Sequence, residues 1–114
     1  SVMFGIYICS NCASVHRGLG LRVKSLRADR WEELHLIAMS LSGNLRLKKF
    51  FAEFDLLDET PENRYKTVAS HFYKRQLFNE MHGEAFVDDK KMAPQHNEGI
   101  EKVEWKEKRY VSFV

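Results

Sequence analysis

Cys9 and Cys12 come directly after the apolar run Phe4-Gly5-Ile6-Tyr7-Ile8, and this pair constrains the chain more than any other feature. Two residues between thiols let a tight turn aim both sulfurs at one point, as a metal knuckle requires. Arg17, five positions beyond Cys12, then stands at a fixed angle to that cross-link. A tetrahedral zinc takes four ligands, and these are the only two cysteines in the chain. The starting constraint is therefore half of a metal site with a cation beside it.

Three readings of the pair compete on physical grounds. In a metal knuckle, a strand delivers Cys9, a turn carries Ser10-Asn11, and Cys12 opens a helix. Small polar residues in the turn leave backbone N–H groups free to hydrogen-bond the sulfurs, which supports the ligands. A thioredoxin-like dithiol has the same strand, C-x-x-C, helix order, but it needs alternating strands and helices, and the residues beyond Cys12 are nearly all helical in pattern. The third reading is two structural thiols without further role. His16, four residues after Cys12, is either a third ligand or a packed side chain; His35, His71, His82 and His96 are scattered without metal spacing.

At 114 residues the chain is one domain with room for a real core. Eight Phe, four Tyr and two Trp supply the material for it. A net charge of +2 excludes a basic nucleic-acid binder, so no nucleic-acid partner is expected. Cations nevertheless cluster from Arg17 to Arg30 and again at Arg46, Lys48 and Lys49. Such clusters suit an acidic protein or a membrane surface, and equally a solvated helix face. Cysteines this close cannot staple a secreted fold, so a reducing, cytoplasmic compartment is expected. No signal peptide and no apolar run of spanning length occurs. The chain opens without Met in what reads as mid-strand, so residues are expected before Ser1.

Val2 to Ile8 is rich in β-branched and aromatic residues and predicts a strand; Leu21 to Leu26 predicts a second. Ala13 to Leu19 predicts a helix stopping at Gly18 or Gly20. Asp29 with Glu32 three residues on predicts an N-cap, followed by Trp31, Leu34, Ile37, Ala38 and Leu41 at helical spacing up to Gly43. Asn44 caps the next helix, whose Leu47, Phe50, Phe51 and Phe54 form a core stripe. Thr60-Pro61 opens a third helix, with Tyr65, Val68, Ala69, Phe72 and Leu77 on one face and Gly83 at its end. Residues 84 to 99 read as irregular, and 100 to 114 as an edge strand or docked tail. This divides the chain into a domain at 1–83 and a polar linker and tail at 84–114.

The segment Phe4-Gly-Ile-Tyr-Ile-Cys-Ser-Asn-Cys-Ala-Ser-Val-His-Arg-Gly-Leu-Gly20 closely resembles the second half of the zinc finger of Arf GTPase-activating proteins. The likeness continues through Val23-Lys-Ser-Leu26, Asp29-Arg-Trp31, Gly43-Asn44 with Phe50-Phe51, and Tyr65, Ala69, Tyr73-Lys74, and so covers roughly residues 1 to 82. Ser42 stands where a glycine is common, and Arg27-Ala28 where an aliphatic pair is usual. The resemblance implies an α+β fold, mostly α, with a small antiparallel sheet and a C-x2-C zinc finger packed on a helical bundle. It implies that Cys9 and Cys12 are the third and fourth ligands of one structural zinc, the first two lying upstream of Ser1. It implies that Arg17 is the catalytic arginine, inserted into an Arf-family small GTPase to stimulate GTP hydrolysis. The same resemblance implies a role in vesicle transport, cytoplasmic and Golgi-associated, with peripheral membrane or coat contacts. A non-catalytic interaction module of the same fold, binding a GTPase, membrane or coat protein, is the alternative.

Overall fold

A computed structural model describes residues 1–83 and 93–103. Six helices succeed one another: α1 (Ser10–Gly18), α2 (Glu33–Leu41), α3 (Asn44–Glu53), α4 (Pro61–Arg64), α5 (Val68–Met81) and α6 (His96–Gly99). The fold is mostly helical, as expected. Among the described residues the only β pairing is an isolated antiparallel bridge between Thr67 and Lys102.

The expected small sheet is thus corrected at both of its strands. Val2 to Gly5 form a turn, because Gly5 takes φ +62, a left-handed value that breaks an extended run. Every residue from Ser1 to Ile6 is buried, so the apolar composition serves burial on all sides rather than pairing on one face. The backbone finds other partners: the Val2 amide donates to the Arg22 carbonyl at 3.2 Å, and the Gly43 amide to the Gly5 carbonyl at 2.9 Å. At Tyr7 the side chain of Asn44 replaces a strand. Its Oδ1 accepts from the Tyr7 amide and its Nδ2 donates to the Tyr7 carbonyl, both at 2.8 Å. Residues 21 to 26 likewise form an irregular loop.

Helix starts obey cap chemistry, with two shifts from expectation. Glu32, not Asp29, precedes α2, and its amide donates to His35 Nδ1 at 3.0 Å. Gly43 (φ +98) ends the α2 segment and Asn44 is the first residue of α3. The single helix expected from Thr60 is two. Thr60 caps the four-residue α4, and Thr67 caps α5 by accepting from the Ser70 amide at 3.2 Å. Gly83, at φ +71, lies just past the end of α5 as the pattern predicts.

The core is one cluster. Phe4, Phe51, Tyr65, Ala69, Tyr73 and Leu77 are among its buried members, so the α3 stripe and the α5 face are core as predicted. Aromatic rings pack edge-on, with Phe4 on Tyr65 at 5.0 Å and Phe51 on Tyr65 at 5.4 Å, the offset geometry that ring quadrupoles favour. Arg46 of α3 forks onto Glu80 of α5 with two bonds of 2.9 Å and lies over the Tyr73 ring. Arg64 reaches three carbonyls of the 54–60 loop, those of Leu56, Leu57 and Glu59 at 2.9, 2.8 and 2.6 Å. Segment 93–103 packs back onto the domain: the Val68 amide donates to the Glu101 carbonyl at 2.8 Å, and His96 lies 3.3 Å from Asp55. Residues 84–92 and 104–114, where part of the linker and tail expectations fall, lie outside the described residues.

Candidate functional site

The site is built around α1, which forms the wall between two clefts. Cys9 is the N-cap of this helix, in extended backbone, and its Sγ accepts from the Cys12 amide at 3.5 Å. The C-x2-C is therefore also a capping motif: the spacing that aims two sulfurs at one point also closes the first helical turn. The Cys12 amide, and then the Cys12 thiol, hold the Cys9 thiol below its ordinary value. Donating that bond, together with burial, raises the Cys12 thiol. Cys9 is exposed and Cys12 half-buried.

Both thiols line a groove of about 480 Å³ whose other walls include Leu47, Lys48, Arg64 and Tyr65. His16 also lines it, but as part of the interior: it is 1% exposed, its ring lies tilted against Tyr65 with centroids 4.4 Å apart, and its Nδ1 has no hydrogen-bond partner among the described residues. Burial pushes its pKa down to about 4, with Arg64 among the positive charges that add to the effect. A neutral imidazole can ligate a metal, yet among the described residues no group of three His, Cys, Asp or Glu side chains converges on one point. The donor set therefore fits zinc as half of a tetrahedral site. Two soft sulfurs from one turn, one of them already accepting a backbone N–H, are what such a half requires.

Arg17 projects on the other side of the helix. It sits in the last turn of α1, exposed, and its side chain makes no hydrogen bond or ion pair with any described residue. The carbonyls behind it are fully used: Leu19 donates to Val15 and His16, Gly20 to Arg17, and Leu21 to His16. That knot of turn bonds, allowed by Gly20 at φ +88, fixes the base of the arginine while its guanidinium stays in solvent. The cleft it borders has a volume of about 400 Å³ and is completed by Ile8, Val23, Lys24, Arg27 and Trp31. The structure thus brings Cys9 and Cys12 together and sets Arg17 on a different face of the same helix. Asn44 and Ser25, which hold the segments on either side of α1, carry no signal of that role in the sequence beyond being polar residues beside turns.

The structure defines a small helical domain in which one short helix carries an exposed arginine and follows a dithiol turn. Residues 1–82 match the ArfGap family, that of the GTPase activating protein for Arf, and the chain belongs to this family. Among its relatives is the sporulation protein SPS18 of Saccharomyces cerevisiae, 36% identical over 86 residues that cover 71% of this chain and 29% of the relative. The ADP-ribosylation factor GTPase-activating protein GCS1 of the same yeast is 32% identical over 65% of this chain and 22% of its own. The ADP-ribosylation factor GTPase-activating protein 3 of Rattus norvegicus is 24% identical over 68% of this chain and 15% of its own. The matched part is thus less than a third of the length of each of these relatives. No helix among the described residues is long and apolar enough to cross a membrane.

Proposed function

We propose that this chain is a GTPase-activating domain that supplies Arg17 as an arginine finger to an Arf-family GTPase. The observation that carries the reading is the placement of Arg17: exposed, without a described partner, and anchored at its base by turn bonds. An unpaired guanidinium on a rigid mount costs little reorganisation when a partner arrives, and this preorganisation is what charge stabilisation in a transition state demands. During GTP hydrolysis negative charge gathers on the phosphoryl oxygens, and an arginine provided by a second protein is worth about 10³ to 10⁵ in rate. The planar fork of arginine can meet two oxygens at once, which lysine cannot.

Cys9 and Cys12 are proposed ligands of one zinc, completed by two further ligands that the described residues do not supply. The metal, when bound, is structural: a closed four-ligand site cross-links the start of α1 and performs no chemistry. The activating unit is proposed to be residues 1–83, with 93–103 packed against it. Recruitment to a Golgi or other vesicle membrane, or to a coat, belongs to the same proposal.

Single-turnover GTP hydrolysis by an Arf protein tests the reading. The zinc-loaded protein is expected to accelerate hydrolysis, and Arg17→Ala to lose about a thousandfold of that acceleration, with Arg17→Lys recovering little. Full acceleration by Arg17→Ala would overturn the assignment. Binding without any acceleration by the parent protein would make this an interaction module instead.

A further inference from the structure

The second cluster of cations, Arg46, Lys48 and Lys49, lies on α3, and the fold divides it. Arg46 turns inward: besides its fork onto Glu80 it donates to the Leu41 carbonyl at 2.8 Å. Lys48 and Lys49 stay exposed, and their side chains make no hydrogen bond or ion pair with any described residue. At about 100° per residue, these lysines fall about 60° and 40° to either side of Leu45, with Ala52 almost in line with it. Leu47, Phe51 and Phe54 take the opposite side and join the core. The outward stripe of α3 is therefore Leu45, Lys48, Lys49 and Ala52, all of them exposed.

A single exposed leucine on a helix is ordinary and asks for no partner. Leu45, 65% exposed, has company. Leu41 is 39% exposed, and the Arg46 bond to its carbonyl ties it to the first turn of α3. Tyr7 is 60% exposed, and its backbone is clasped by Asn44, the neighbour of Leu45. From Leu41 to Ala52 the sequence contains no Asp or Glu; Glu53, the first acid, is about 12 Å further along the axis than Leu45. The shape is a ridge. Lys48 borders the groove that holds the thiols, while Leu45 and Lys49 border a second groove of about 580 Å³ between α3 and α5.

We infer that the N-terminal half of α3, with Leu41 and Tyr7 beside it, is a docking surface for an anionic lipid bilayer. It deepens the membrane recruitment proposed above and rests on that part of the reading alone, not on Arg17. Charge complementarity sets the sign of the occupant, since the exposed cations of this ridge have no acid among them. The residue types choose a bilayer over an acidic protein. Protein interfaces favour arginine and are depleted in lysine, and here the arginine is the cation that the fold withdraws. Leucine between two lysines suits the headgroup boundary: the aliphatic tip enters it, and the lysine stems follow while their ammonium groups stay with the phosphates. Tyrosine, apolar in body and polar at its tip, fits the edge of such a contact.

The test is flotation of the full chain with phosphatidylcholine vesicles made with and without phosphatidylserine. No GTPase is present, so a failure here leaves the assignment of Arg17 untouched. The parent is expected to bind the vesicles that contain phosphatidylserine and to be released by added salt. Lys48→Ala and Lys49→Ala should each lower the partition coefficient about fivefold. Leu45→Ser should lower it by a similar factor, about fivefold, by removing the apolar tip. Arg17→Ala and Arg27→Ala, cations on the far side of α1, are the controls and should stay within about twofold. Leu45→Trp reports insertion: its emission should shift to the blue on vesicle addition by more than that of the parent. Every changed side chain is exposed, and an unchanged urea midpoint verifies the fold of each variant. No binding to phosphatidylserine, or equal losses from the controls, overturns the inference. Losses confined to the lysine variants, with no shift at Leu45→Trp, leave only diffuse attraction and overturn it as well. Variants that keep vesicle binding but lose affinity for GTP-bound Arf in vesicle-free solution would make the occupant a protein.

Discussion

Three single residues carry more of this structure than their number suggests. Arg64 holds the 54–60 loop through three carbonyls, a fan that a lysine cannot reproduce from one nitrogen. Arg64→Lys is expected to lower stability by about 1.5 to 3 kcal/mol, read from the urea midpoint. Gly5 combines a left-handed backbone with a close approach, because an added Cβ would lie 2.7 Å from Ser42 Cβ and overlap the Ala38 carbonyl oxygen. Gly5→Ala should cost more than about 2 kcal/mol, since backbone strain and a backbone clash add. Gly43→Ala, strained but with open space around it, should cost less. His16 titrates near pH 6.5 in the unfolded chain but only at about 4 when folded. Below pH 6.5 the unfolded state therefore takes up a proton that the folded state refuses. Stability is full above that pH and falls towards pH 4 by about 3 kcal/mol at most. His35, also lowered by burial, acts in the same direction. Urea midpoints at pH 7 and pH 5 should show the drop, and His16→Phe should flatten it.

At the scale of elements, periodicity is a good guide and composition a poor one. The helices at 33–41, 44–53 and 68–81 agree with the apolar spacing, with Gly43 and Gly83 as punctuation, whereas α1 begins three residues before the expected Ala13 and Thr60 opens only the short α4. The two expected strands fail for a physical reason. Val2, Phe4 and Ile6 look like strand residues because β-branched and aromatic side chains favour any surrounded site, and here the surround is a helical core. Asp29 misleads for a related reason: an Asp before a helix caps a turn as readily as a helix, and Ser25 claims it first. The break between α4 and α5 has its signal in Thr67, whose hydroxyl both accepts from Ser70 and donates to the Arg64 carbonyl at 2.9 Å. Thr67→Ala should therefore cost about 1 to 2 kcal/mol in thermal unfolding, and Thr67→Ser, which keeps the hydroxyl, much less.

For the whole molecule, the core and the dithiol are separate. The buried cluster runs from Val2 to Met81 without Cys9 or Cys12. Treatment with a zinc chelator is therefore expected to abolish activation while leaving a cooperative unfolding transition, visible in the near-ultraviolet dichroism of Trp31 and Tyr65. Loss of that transition on chelation would mean that the metal holds more than α1. The pairing of Cys9 with Cys12 and the position of Arg17 on the same helix are legible from spacing alone. Five positions at about 100° per residue put Arg17 about 140° around the helix from Cys12, so their different faces also follow from the spacing once the helix contains both. Asn44 has a last consequence. Both polar ends of one amide side chain hold both polar groups of Tyr7, and Tyr7 is the last residue before Cys9 so held, the Ser42 hydroxyl and Gly43 amide bonding the carbonyls of Phe4 and Gly5 before it. A sheet spreads a mutation over many bonds. This attachment concentrates it: Asn44→Ala removes both bonds to Tyr7 at once and leaves the stretch just before Cys9 tied to the body only through Phe4 and Gly5.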